Sequence, residues 1–111
     1  MIDLMLVTAW NNGKHHRSGV GYGVKIKEED RDHYFRREWK SIFISFENVR
    51  FDAEINLDKP SFWGKICREL ISKEIGNWLI MNRLAPWDKG EPPKLNLLPI
   101  HEKHFELRKY F

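Results

Sequence analysis

The sequence predicts an α+β fold, in which a curved antiparallel sheet or partly open β-barrel of about six strands is packed by one main helix. Segments of alternating apolar and polar residues, the period typical of half-buried strands, recur along most of the chain. Apolar residues at helical spacing are concentrated around residues 60–84. The connections between the predicted strands are too short for the crossovers of a doubly wound parallel sheet.

The N-terminal half predicts four strands and one short charged segment. Residues 2–10 form an apolar strand, which the turn residues 11–13 end because Asn and Gly tolerate positive φ angles. Residues 22–27 alternate as a second strand, and the charged run 28–35 predicts a short helix or turn. Residues 39–57 contain two further alternating runs and predict an antiparallel hairpin.

The helical pattern lies in residues 60–84 and begins at Pro60, which fits a first turn because its missing N–H costs nothing there. Ser72 is a suitable N-cap inside the segment, so one long helix and two shorter ones both fit. Residues 85–93 predict a proline-rich loop, and residues 94–111 predict a last hairpin. The apolar positions of the helical pattern are Phe62, Ile66, Leu70, Ile75, Trp78 and Leu79.

The length and composition predict one domain, residues 1–111, with one core. Cys67 is the only cysteine, which excludes an internal disulfide and a Cys-based zinc cage. We expect it to be a small core residue on the helix. No apolar run approaches the roughly 18 residues of a membrane span, and the N-terminus lacks the pattern of a signal peptide. We therefore expect a cytoplasmic protein with no membrane partner.

The charge balance permits an anionic partner without requiring one. Nineteen basic residues against sixteen acidic residues give a formal charge of +3 and a pI near 9.1. Residues 11–25 contain Lys14, Arg17, Lys25 and two histidines but no acidic residue. The basic charge is therefore concentrated near one glycine-rich segment.

Residues 10–23 combine hydrogen-bonding side chains, positive charge and glycine, and we interpret them as a contact loop for a phosphate or nucleotide. Arg17 can bind a phosphate or a guanine edge through two hydrogen bonds, and Asn11 or Asn12 can pair with a base edge. Aromatic rings can stack on bases, and glycines let a main chain approach an anion. The predicted nucleic-acid or anion-binding residues are Trp10, Asn11, Asn12, Lys14, His15, His16, Arg17, Ser18, Gly19, Gly21 and Tyr22.

The same loop also has a purely structural interpretation. Gly19, Gly21 and Gly23 leave three bare positions on one strand face, a pattern typical of close packing against another backbone or a large ring. The spacing matches neither a Walker loop nor a dinucleotide fingerprint. No cysteine lies near the paired histidines to complete a metal site, and the sequence predicts neither a metal nor a cofactor.

The sequence favours a small nucleic-acid-binding or nucleotide-binding module. In element order alone, the chain resembles pseudo-barrel domains of the PUA and B3 type, but no signature residue is matched and no site is carried over. One alternative is a protein-interaction or homodimeric accessory protein, suggested by exposed aromatics and the C-terminal strand. The other is a small enzyme acting on a phosphorylated substrate, with a carboxylate from Asp30, Asp32 or Glu54 added to the loop; no spacing selects its catalytic residues. Whether the chain is an enzyme stays open.

Overall fold

The computed structural model describes residues 3–110 and contains seven strands and three helices in that part of the chain. The first half contains β1 (Met5–Asn11), β2 (Tyr22–Lys25), α1 (Glu28–Tyr34), β3 (Ser41–Phe46) and β4 (Asp52–Asn56). The second half contains α2 (Pro60–Trp63), β5 (Glu69–Ile71), α3 (Lys73–Met81), β6 (Lys94–His101) and β7 (His104–Lys109). The predicted strand positions at Ile2 and Phe111 lie outside the described residues.

The seven strands form one sheet in the order β4-β3-β7-β6-β1-β2-β5. The two outermost strands, β4 and β5, contact each other, so the sheet is nearly closed into a barrel. The predicted α+β fold with a partly open barrel is therefore confirmed. One feature differs, because β3 and β7 pair in parallel while the other neighbours are antiparallel. The chain between these two strands is long enough to return β7 to the free side of β3.

The barrel interior is filled by the inward-facing strand residues and by α3, which contacts β2 and β4. Trp78 on α3 is fully buried, as predicted, and its indole N–H donates to the backbone oxygen of Glu47 at 3.1 Å. Buried Trp side chains need such a partner for the N–H group. This contact joins α3 to the β3–β4 hairpin, whose turn contains Asn48 at φ 65°.

The prediction of one main helix around residues 60–84 is wrong between Trp63 and Lys73, where the chain is not helical. Helix α2 ends at Trp63, and residues 69–71 form strand β5, which pairs with β2. Ile66 is 77% exposed and Cys67 is exposed, so neither belongs to the core. The other apolar residues of the predicted helix lie in two short helices, α2 and α3, and in strand β5 between them. Strand β5 forms because its backbone pairs with the otherwise free edge of β2. The predicted cap at Ser72 is confirmed, since its Oγ accepts a hydrogen bond from the Ile75 N–H at 3.0 Å.

Among residues 3–110, none of the helices has both the length and the apolar character needed to cross a membrane.

Candidate ligand-binding site

The loop between β1 and β2, residues 12–21, is closed at its base by backbone hydrogen bonds. The Asn12 N–H donates to the Gly21 oxygen at 3.0 Å and extends the β1–β2 ladder by one step. Within the loop, the Gly19 N–H donates to the His16 oxygen at 3.1 Å and forms a turn. These bonds fix the loop that contains Lys14, His15, His16 and Arg17 to the ends of β1 and β2.

Two glycines of the segment 10–23, Gly19 in the loop and Gly23 in β2, lie directly against other backbone. A Cβ on Gly19 would lie 2.7 Å from the Lys73 oxygen, and one on Gly76 in α3 would lie 2.1 Å from the Gly19 oxygen. A Cβ on Gly23 would lie 2.3 Å from the Leu70 oxygen in β5. The close packing that the glycine pattern predicts is therefore present at Gly19 and Gly23. The contact at Gly19 places the loop directly against the first turns of α3.

The side chain of His15 is held at both ring nitrogens. Its Nε2 lies 2.8 Å from Nδ2 of Asn11, and its Nδ1 lies 2.7 Å from the Tyr22 hydroxyl. Because Oδ1 of Asn11 accepts from the Gly13 N–H at 3.2 Å, the amide nitrogen of Asn11 is the group that faces His15. An amide nitrogen only donates, so Nε2 accepts and the ring proton is on Nδ1, which donates to Tyr22. Three residues of the predicted site thus form one hydrogen-bonded chain.

Trp87, from the loop after α3, completes an aromatic cluster with His15 and Tyr22. The ring centroids of His15 and Trp87 are 4.7 Å apart at an angle of 88°, and those of Tyr22 and Trp87 are 5.7 Å apart at 67°. Edge-to-face contacts of this kind stabilise aromatic pairs by about 0.5–1.5 kcal/mol. Trp87 is partly exposed, while Tyr22 is buried and its pKa is raised by that burial.

The His15 ring is a shared wall of two cavities. The first, about 380 Å³, is mostly apolar and is lined by His15, His16, Arg17, Tyr22, Ile80, Ala85 and Pro86. The second, about 520 Å³, is lined by Asn11, Gly13, His15, Trp87, Lys89 and Gly90. Both volumes are within the range of pockets that hold small molecules. Their linings provide a hydrophobic compartment and a more polar one that share His15.

The charge around these cavities is positive. Among the residues that the structure describes, no acidic side chain lines either cavity, whereas Arg17 lines the first and Lys89 the second. The ion pairs found within residues 3–110 involve Arg31 and Arg108 and none of the cations at this site. Lys14 is also exposed on the same loop. The site therefore presents to an anion two cations, Arg17 and Lys89, that form no ion pair with the described residues.

The remaining predicted site residues lie apart from the cavity pair. Trp10 is partly exposed on the face of β1 opposite the buried Ala9. Asn12 and Ser18 accept hydrogen bonds from the backbone N–H groups of Lys14 and Val20, as short polar residues do in turns. The bare position of Gly21 is filled by the Asn12 side chain, 2.7 Å from where a Cβ would lie.

The structure adds apolar residues that the sequence did not single out, and it does not assemble the carboxylates proposed for catalysis. Ile80, Ala85 and Pro86 form one side of the apolar cavity because the end of α3 folds back beside the loop. Their spacing in sequence has no ligand signature.

The carboxylates suggested for an enzyme do not line either cavity: Asp32 pairs with Arg31, and Glu54 accepts from Ser41 on β3.

Comparison of the chain with protein-family models, with curated proteins and with solved structures finds no match.

Proposed function

We propose that the chain binds single-stranded nucleic acid and holds one nucleotide unit in the cavities beside His15. The observation that carries the proposal is the position of the His15 ring, which is hydrogen-bonded at both nitrogens and forms a wall of both cavities. Aromatic walls beside basic side chains bind bases and phosphates with little dependence on sequence. A ring that is already fixed loses little conformational freedom on binding.

The two compartments suit different parts of a nucleotide. The apolar cavity, which Ile80 and Pro86 line together with His15, suits the face of a base. Arg17 at the same cavity can bind a phosphate through two hydrogen bonds, and Lys89 in the polar cavity can contact a neighbouring phosphate as a point charge. The absence of carboxylates from both linings, within the described residues, favours an anionic ligand over a cationic one.

A single strand is the expected form of the ligand. A base within a duplex is stacked and paired, so it reaches a cavity only after it has been extruded from the helix, which costs a few kcal/mol. Unpaired bases enter without that cost. The formal charge of the whole chain is only +3, so attraction to any polyanion is modest and the cavities must supply much of the affinity.

The proposal is tested by fluorescence anisotropy with a labelled pyrimidine oligonucleotide, single-stranded and as a duplex, at low and physiological salt. For His15→Ala we expect the single-strand affinity to fall about 5- to 150-fold, the effect of losing one stacked base. For Arg17→Ala we expect weaker binding and a salt dependence with about one fewer phosphate contact.

Arg50→Ala is the matched control for Arg17→Ala, because Arg50 is also exposed but lines neither cavity. It should leave both affinity and salt dependence unchanged. Near-ultraviolet circular dichroism of each variant checks that the fold is retained. Equal affinity for duplex and single strand, or unchanged binding by His15→Ala, would contradict the proposal.

A further inference from the structure

A separate basic cleft lies on the outer face of the sheet, where β2, β1 and β6 are neighbours. Thr8 in β1 pairs with Lys25 on one side and with Lys94 on the other. Paired residues in adjacent strands lie on the same face, and Val7 and Ala9 on the opposite face of β1 are buried. Lys25, Thr8 and Lys94 therefore form a row across three strands, with the two lysine Cα atoms about 10 Å apart.

Arg68 adds a cation to this surface beyond β2, one position before Glu69, the residue that pairs with Lys25. Its backbone oxygen accepts from the Ile26 N–H at 2.9 Å, and its Nε donates to the Ile26 oxygen at 2.8 Å. A second guanidinium nitrogen donates to the Lys65 oxygen. Because a guanidinium has five N–H donors, these bonds fix the group beside β2 and leave further donors for a ligand. The cleft, about 190 Å³, is lined by Leu6, Thr8, Lys25, Ile26, Lys27, Arg68 and Lys94.

Four cations line this cleft, and no carboxylate among residues 3–110 does. None of the four takes part in the ion pairs found in that part of the chain. Glu69 pairs with Lys25 across the β2–β5 ladder, but it is almost buried and does not line the cleft. Mutual repulsion among these four cations opposes folding, and a bound anion would relieve it.

We propose that the cleft binds adjacent phosphate groups, those of a polyphosphate or of a nucleic-acid backbone. The Lys94 ammonium lies 3.5 Å from the Thr8 hydroxyl, which places a donor and a hydroxyl at the centre of the row. Lys25 and Lys94 extend from the strands on the two sides of β1, and Arg68 can bind a phosphate through two hydrogen bonds.

This inference does not depend on the proposed function, because the cleft shares no lining residue with the His15 cavities. The two sites are nevertheless near each other along β1. Thr8 precedes Asn11 by three residues, a distance of about 10 Å in a strand. Because side chains alternate between the two faces of a strand, Thr8 and Asn11 lie on opposite faces of β1, and the two sites are approached from different sides of the sheet.

Titration with sodium tripolyphosphate, followed by heteronuclear NMR and calorimetry, tests the cleft by itself. We expect the amide signals of Thr8, Lys25 and Lys94 to shift. In the double variant Lys25→Gln/Lys94→Gln, affinity should fall at least about ten-fold, the effect of losing hydrogen bonds to charged groups. Lys40→Gln, an exposed lysine outside the cleft, should change nothing.

Three results would overturn the cleft proposal: no binding of tripolyphosphate, equal weakening by Lys40→Gln, or signal shifts confined to the loop around Arg17. A labelled oligonucleotide then identifies the source of the phosphates. A salt dependence reduced by about two phosphate contacts in the double variant assigns the cleft to a nucleic-acid backbone, and an unchanged one assigns it to free polyphosphate. Binding of tripolyphosphate without any binding of oligonucleotides would reject the proposed function and retain the cleft.

Discussion

Replacing Gly76 with alanine tests whether the loop and α3 are held together by direct backbone contact. In an exposed helix interior this substitution stabilises a protein by about 1 kcal/mol, because glycine has a poor helix propensity. Here the added Cβ would lie 2.1 Å from the Gly19 oxygen and 2.6 Å from its Cα. Both are backbone atoms of the loop, so no side-chain rotation relieves the clash.

The expected net effect follows from these two opposing contributions. The Cβ is more than 1 Å inside normal contact distance, so the loop and the helix must separate, and overpacking of this kind costs up to about 3 kcal/mol. Subtracting the gain in helix propensity of about 1 kcal/mol leaves a loss of about 2 kcal/mol. For a chain of this length that loss lowers Tm by about 8–10 °C.

Thermal and urea unfolding followed by circular dichroism measure this change, with Gly64→Ala as the matched control. Gly64 has φ −83°, and a Cβ there would come no closer than 3.6 Å to the Ser61 oxygen. Alanine at that position should be neutral or stabilising by up to about 1 kcal/mol, because it restricts the unfolded chain. A Gly76→Ala variant as stable as the wild type would refute the inference that the loop lies against the helix backbone.

Two further predictions concern buried polar groups. Burial raises the pKa of the hydroxyls of Tyr22 and Tyr34, so these groups ionise first in the unfolded state. Their contribution to stability should therefore be constant below about pH 10 and fall above it. In urea unfolding at alkaline pH, Tyr22→Phe should weaken that fall, and an identical pH dependence would contradict this. Arg31 is almost buried and donates hydrogen bonds to the backbone oxygens of Phe62 and Gly64. Arg31→Met leaves both acceptors unpaired and should lower the free energy of unfolding in urea by about 2–4 kcal/mol. Arg108→Met removes only an exposed ion pair and should lower it by about 1 kcal/mol or less. Equal losses for the two arginine variants would contradict the structural role of Arg31.

The strands could be predicted from the sequence because their alternation is local information. In β3 and β4 the buried residues Ile42, Ile44, Ala53 and Ile55 occupy every second position, and this period does not depend on which strand lies beside which. The Ser72 cap is local in the same sense, since a hydroxyl and an N–H three residues later make the contact. The parallel pairing of β3 with β7 is not local, and no residue in either strand encodes it.

Strand β5 shows why the segment around residues 60–84 was misassigned. Phe62 and Leu70 are buried at positions that a helix would also bury, so the apolar spacing cannot distinguish one helix from a helix followed by a strand. Residues 69–71 form a strand because they pair with the free edge of β2, where Gly23 lets the backbone of Leu70 approach closely. Ile66 and Cys67, between the two elements, then became exposed.

The sequence by itself determined which residues are available for binding: a run of basic and amide side chains without acids, between two strands, with bare glycine positions. Only the tertiary structure decided that the His15 ring is held by Asn11 and Tyr22 and stands against Trp87, which is 72 residues away along the chain. It also brought Lys25, Arg68 and Lys94 into one cleft from three separate segments. The physical reason is that hydrogen-bonding capacity and charge belong to each residue, whereas a cavity exists only where distant segments pack side by side.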